Sequence, residues 1–275
     1  MVRSPRPNSK PSQKAFRLPW RDLLDVLAIG TWSMMLMRYW IGGKLSLLLH
    51  PDYSWLSNVA AIVLLLLAGS QALKIFKSRR YAASKQGADL GHVTLLPPSL
   101  SSAVLLGVAV FGLIYTPKAF ASETAVARGI ADSLTLTRSQ PQRFVRAEEP
   151  AERTIIDWIR LVNVYPEPDA YAGEAVSVSG FAMHPDDWPE GYIRVSRFVL
   201  TCCAADAYPV GLPVKLAESR FSSREDSPER SDYPVDSWIE VEGEMTTGEL
   251  SGRRQLVILP TAVTPIEEPK NPYEY

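Results

Sequence analysis

The sequence predicts an α + β membrane protein: three N-terminal transmembrane helices followed by a small β-barrel domain. Three observations predict it. The formal net charge of −1 over 275 residues hides two opposite halves. Residues 1–121 hold 14 Lys+Arg against 4 Asp+Glu, and residues 122–275 hold 15 against 26. The long apolar runs fall in the first half, and segments alternating with period two fall in the second. A single uniform globular domain is thereby excluded, as is a nucleic-acid binder built on overall basicity. Only two cysteines, adjacent in sequence, exclude a disulfide-dense secreted scaffold.

The chain opens with a basic tail, residues 1–21, carrying Arg3, Arg6, Lys10, Lys14, Arg17 and Arg21. A transmembrane region follows over residues 22–118, with spans near 23–41, 55–76 and 93–115. Crossing ~30 Å of hydrocarbon at ~1.5 Å per residue takes ~20 apolar residues. The first span, Leu23–Ile41, holds Asp25 and Arg38 close enough to its ends to snorkel, and Trp32, Tyr39 and Trp40 suit an interfacial belt. The second is centred on Val59–Leu73, between Trp55 and Lys74. The third, Val93–Tyr115, is uncharged. Pro97-Pro98 favours helix entry there, because proline's missing N–H is not needed in a first turn. That leaves roughly 17 residues, at the short limit for a span. The alternative is a buried core helix, which should show a polar stripe that this segment lacks.

Lys and Arg in the short flanks set the orientation. The tail and the loop holding Lys74, Lys77, Arg79, Arg80 and Lys85 should face the cytoplasm. The loop around His50-Pro51-Asp52-Tyr53 has no Lys or Arg beyond Lys44. Three spans then place everything after Tyr115 outside. Ala119-Phe120-Ala121 matches a signal-peptidase pattern, but such a site normally follows one leader rather than three spans. The spans carry no inward carboxylates of an ion pathway and read as an anchor, or as a surface for a larger membrane partner.

Residues 119–150 have no sustained period and read as a linker with at most a helical turn. Residues 151–275 read as an extracytoplasmic domain. Thr154–Val164 places Ile155, Ile156, Ile159 and Val162 at helical spacing, ended by Pro166 and Pro168. Strands are expected over Ala175–Phe181, Tyr192–Thr201, Val210–Leu216, Trp238–Met245 and Gln255–Leu259, with Ala262–Ile266 as an extension. Arg220–Pro234 reads as an exposed polar loop. Five short strands and a flanking helix suggest a small, partly open barrel of the oligonucleotide/oligosaccharide-binding (OB) type, with a β-sandwich as the alternative. Gly180 and Gly243 fall where a barrel bends or bulges. The acidic balance argues against nucleic acid as a partner.

The chemistry concentrates in Arg197–Gly211, RFVLTCCAADAYPVG. Three readings stand. Cys202, Cys203 and Asp206, joined by His184 from the MHPDDW loop, offer S, O and N ligands that suit zinc. Consecutive strand residues point to opposite faces, so this requires the strand to end by Cys202. The second reading is a strained, labile vicinal disulfide. The third is two small thiols buried in a β core, with Asp206 capping a turn. No phosphate loop, Ser/His/Asp set or H-E-x-x-H motif is present, and histidine is scarce, so an enzyme is not expected.

Tyr115-Thr116-Pro117-Lys118, Arg128-Gly129-Ile130, Val178-Ser179-Gly180-Phe181, the 197–211 stretch, Trp238-Ile239-Glu240-Val241-Glu242-Gly243 and Pro272-Tyr273 follow the hydrophobic spans. In this combination the chain resembles the YcgQ-like family of bacterial membrane proteins. The resemblance spans almost the whole chain, and C-C-x-x-D-A is its most specific part. It implies a multi-pass protein of the bacterial inner membrane. It also implies an accessory or substrate-receiving subunit of a YraQ-like permease, in contact with the lipid bilayer, with a transition metal such as zinc as cargo. The competing expectation is an extracytoplasmic redox or scaffolding protein without metal cargo. The resemblance supplies motif positions Cys202, Cys203 and Asp206 and no catalytic residue.

Overall fold

The computed structural model describes residues 20–80, 98–129, 149–216 and 229–275. Most of the basic tail, part of the second basic loop, the centre of the linker and most of the Arg220–Pro234 loop lie outside the described residues. Packing divides the chain into two units. One takes in the described chain up to Arg38 and Ser57–Thr116, and the other takes in Tyr39–Leu56 and Pro117–Tyr275.

Three helices form or enter the first unit: α1 (Trp20–Ile41), α2 (Pro51–Arg80) and α3 (Pro98–Ile114). Proline opens both α2 and α3, where its fixed φ suits the first helical position. Polar groups on α1 are satisfied by its neighbours' backbone. Ser33 Oγ donates to the Ala61 carbonyl at 2.7 Å, and Trp32 Nε1 to that of Leu105 at 3.0 Å. Arg38 Nη1 donates to the Leu113 carbonyl at 2.7 Å, one of the orphan acceptors at the end of α3. Asp25 accepts from Ser102 Oγ, so this carboxylate has an interhelical partner. Leu65, Leu66, Val104 and Phe111 stand exposed along α2 and α3. One described helix, Pro51–Lys77, is long and apolar enough to cross a membrane. Two expected spans fall short of that measure for physical reasons. Arg21, Asp22, Asp25 and Arg38 dilute α1, and α3 has only 17 residues.

The second unit holds a five-stranded β-barrel, built from β1 (Ala175–Met183), β2 (Tyr192–Val199), β3 (Tyr208–Lys215), β4 (Trp238–Leu250) and β5 (Arg253–Pro265). The order is β1-β4-β5-β3-β2, and β1–β2 pairing returns the sheet to its start. The barrel is thus closed rather than partly open, and consistent with an OB-like barrel. All neighbours are antiparallel except β3 and β5, which share one parallel pair, Val214–Ile258. That sparse seam explains how β3 accommodates Pro209 and Pro213, which cannot donate to a ladder.

Glycine makes closure possible. β1 pairs with β4 through Phe181 and with β2 from Phe181 onward, so the strand changes partner beside Gly180. A Cβ on Gly180 would lie 2.3 Å from the Ser196 carbonyl oxygen. The β4–β5 register shifts between Glu242 and Gly243, the bulge expected there. β4 and β5 run longer than their alternation indicated, and Ala262–Ile266 largely continues β5. Ser251 and Gly252 join them with φ of 49° and 70°, the left-handed pair of a type I′ hairpin turn.

Helix α4 (Ser122–Arg128) occupies the start of the expected linker, and α5 (Ile155–Val164) matches the expected amphipathic helix. Thr154 caps α5 in a reciprocal box with Asp157. Ile155, Ile156 and Trp158 are buried with Val178, Val195, Val241 and Ile258 in the main core. Burial of each such side chain stabilises the fold by roughly 1.5–3 kcal/mol. A second cluster joins Phe181, Phe198, Trp238 and Tyr273 to Ala125 of α4, with Leu47 against it. A short sixth strand, β6 (Tyr273–Glu274), adds parallel to β2.

Candidate metal-binding turn

β2 ends at Val199, and Leu200–Ala207 leave the sheet as a turn before β3. The condition for both thiols to serve one site is therefore met. Asp206 closes the turn: its carboxylate accepts from the Cys202 N–H at 2.9 Å and the Cys203 N–H at 3.2 Å. The Asp206 N–H donates back to the Cys203 carbonyl at 3.1 Å. The two Sγ atoms stand 3.7 Å apart. One ligand atom from each of Cys202, Cys203 and Asp206 lies within 4.8 Å of the others.

Both cysteines are free; Cys202 is exposed and Cys203 half-buried. Packing of two buried thiols in a β core is thus overturned, because the turn carries them off the sheet. Its other half, Asp206 as a turn cap, is what the geometry shows. Electrostatics follow from the same contacts. The hydrogen bonds with Asp206 and Cys203 and the negative carboxylate push the Cys202 thiol up to about 12. Burial opposes ionisation of Asp206, yet the Cys202 thiol and the two backbone N–H groups hold its carboxyl below the usual range. Cys202 and Asp206 therefore stand as thiol and carboxylate, and thiolate chemistry at Cys202 requires loss of its proton.

The turn is braced from two further sides. Arg128, at the end of α4, donates through Nη1 to the Ala204 and Ala207 carbonyls. The loop between α1 and α2 meets it edge to edge: Leu49 and Cys203 form an antiparallel bridge. The His50 N–H donates to the Cys202 carbonyl at 3.0 Å, and the Ala204 N–H to that of Leu48 at 2.8 Å. Nothing in the sequence pattern marks this loop as part of the domain, since a backbone bridge has no side-chain signature.

His184 is placed elsewhere. It follows β1, its Nε2 lies 2.8 Å from the Tyr233 carbonyl oxygen, and among the described residues it is not part of the ligand group. Burial holds its pKa below the ordinary value, against the raising effect of that hydrogen bond. Asp187, in the same loop, accepts from Ser251 Oγ at 2.6 Å.

A buried acid also escaped the sequence reading. Glu274 Oε2 accepts from the Ile156 N–H at 2.8 Å, at the start of α5, and Oε1 lies 3.8 Å from Arg197. Burial raises the Glu274 pKa and lowers that of Arg197, so desolvation outweighs their mutual attraction at this distance. The Leu200 N–H donates to the Glu274 carbonyl at 3.0 Å, which ties β6 to the chain entering the turn.

The fold and the site define a small closed-barrel domain that displays a vicinal-thiol turn. Residues 155–275 match the DUF1980 C-terminal domain, an uncharacterised family. No curated protein matches the chain. The matched span begins with α5 and covers the whole barrel and the cysteine turn, whereas α1–α4 and the loop bridged to Cys203 lie outside it.

Proposed function

We propose that this protein is a multi-pass subunit of a bacterial inner-membrane permease, related to the YcgQ-like family, and that its barrel receives a divalent transition metal of the zinc class. The observation that carries the proposal is the convergence of Cys202, Cys203 and Asp206 outside the sheet. Two thiolates and a carboxylate are ligands that suit zinc. The acidic half of the chain raises the local cation concentration.

The membrane arrangement has support within the second unit. The loop before α2 is bonded to the turn that follows α3. This bonding supports a topology in which the two ends of the α2–α3 segment share one side of the bilayer, with an even number of crossings between them. α2 supplies one, and α3 is the remaining apolar helix for the return. With the basic flanks inside, the turn faces outward. The YraQ-like permease is the proposed partner, and its co-purification from native membranes checks that part.

The chain's only cysteines report on the main claim directly. In spheroplasts, a membrane-impermeant maleimide should label Cys202, and zinc in the medium should protect it. Labelling that requires lysis contradicts the orientation, and labelling indifferent to zinc contradicts the metal role. The 3.7 Å separation of free thiols also favours a second reading. Two thiols would yield two protons and two electrons to a disulfide-class oxidant and close a vicinal disulfide. Labelling that needs prior reduction selects it.

A further inference from the structure

We infer that His50, in the loop between α1 and α2, is the fourth protein ligand of the cysteine-turn site; the inference rests on the metal reading above. The Leu49–Cys203 bridge, with His50 N–H to Cys202 carbonyl and Ala204 N–H to Leu48 carbonyl, sets His50 opposite Cys202. The backbone of the histidine thus lies beside that of the exposed thiol; its imidazole stands outside the three converging ligand groups, and joining them takes a side-chain rotation.

The surroundings of the ring suit a ligand. Its Nδ1 accepts from the Asp52 N–H at 3.2 Å and stands 3.7 Å from Asp52 Oδ2. Binding a cation through Nε2 would put the proton on Nδ1, exchanging the Asp52 N–H bond for one to the Asp52 carboxylate, the kind of partner a metal-bound histidine commonly has. The edge of the ring also meets Tyr275, 4.6 Å between centroids, a contact that the rotation toward the thiols must alter. With His50 the set becomes two sulfurs, one nitrogen and one oxygen, four ligands for a tetrahedral ion. His50 immediately precedes Pro51, the first residue of α2. Occupancy of the site would thus bear on the start of that helix.

Cobalt(II) titration of the full-length protein in lipid nanodiscs tests this by absorbance. Wild-type protein should bind one cobalt with sulfur-to-metal charge transfer and intense tetrahedral d–d bands. His50→Ala and His50→Gln should weaken binding at least tenfold and shift the d–d bands, while His184→Ala leaves both unchanged. His50→Cys should restore affinity and strengthen the charge-transfer band, which separates loss of a ligand from loss of fold. Wild-type protein that binds no cobalt overturns the underlying metal reading. Wild-type binding that His50→Ala and His50→Gln leave unaltered in affinity and spectrum overturns the role of His50 alone.

Discussion

At the residue scale, Glu274 shows how a buried acid acts when desolvation dominates. Its carboxylate joins the first turn of α5 to β6 and faces Arg197 at 3.8 Å. Glu274→Ala leaves the buried Ile156 N–H without its acceptor, while Arg197 keeps the Asn271 carbonyl, and should cost about 1–3 kcal/mol. Glu274→Gln keeps an acceptor and should cost much less. The pH dependence has a definite sign. Burial raises the folded-state pKa above the ordinary 4.5, so the folded protein binds this proton more tightly. The associated stabilisation is full below that value and is lost as pH rises through the folded pKa. Denaturant unfolding between pH 4 and 8 should show wild-type stability falling relative to Glu274→Gln as pH rises. A difference that grows in the opposite direction would mean that the ion pair outweighs burial.

At the element scale, the barrel depends on backbone contacts that side chains would obstruct. A Cβ on Gly243 would lie 2.3 Å from the Leu259 carbonyl oxygen and 2.8 Å from the Pro260 Cα, at the bulge that bends β4. Neither contact is with a flexible side-chain end, so Gly243→Ala should destabilise the domain by ~3 kcal/mol. Thermal unfolding of that variant beside Gly252→Ala, whose Cβ meets nothing within 4 Å, separates close packing from the cost of positive φ. These elements also show what local pattern reveals. Alternation through Val176 and Val178 exposes β1, and Thr154 with Asp157 exposes the start of α5, because both signals are local. The full length of β4 and β5 is set by the Ser251-Gly252 turn and by pairing across the hairpin, which period alone does not encode. The position of His50 opposite Cys202 depends on a bridge across more than 150 residues of sequence. The sequence reading selected His184 because it lies near the barrel strands in the chain. Backbone pairing sets His50 beside Cys202, which is why we propose it as a ligand.

At the scale of the whole molecule, the units do not coincide with the two charge halves of the sequence. Tyr39–Leu56 belongs with the C-terminal part, although it lies within the basic half and between two apolar helices. The second unit is thus assembled from two stretches of chain, and a fragment beginning at residue 122 lacks the loop that braces the cysteine turn. The near-neutral total charge conceals a basic first half and an acidic second half, the division on which the proposed orientation rests.

The central claim is that the turn holds a zinc-class ion through its thiols. Equilibrium dialysis of the reduced full-length protein against zinc, with metal and free thiols counted together, tests it most directly. Close to one zinc per chain is expected, lost in the Cys202→Ser, Cys203→Ser double variant and weakened as pH falls, because zinc-bound cysteines must give up their protons. Less than a tenth of an equivalent in the wild-type protein, unchanged by the double substitution, would contradict it.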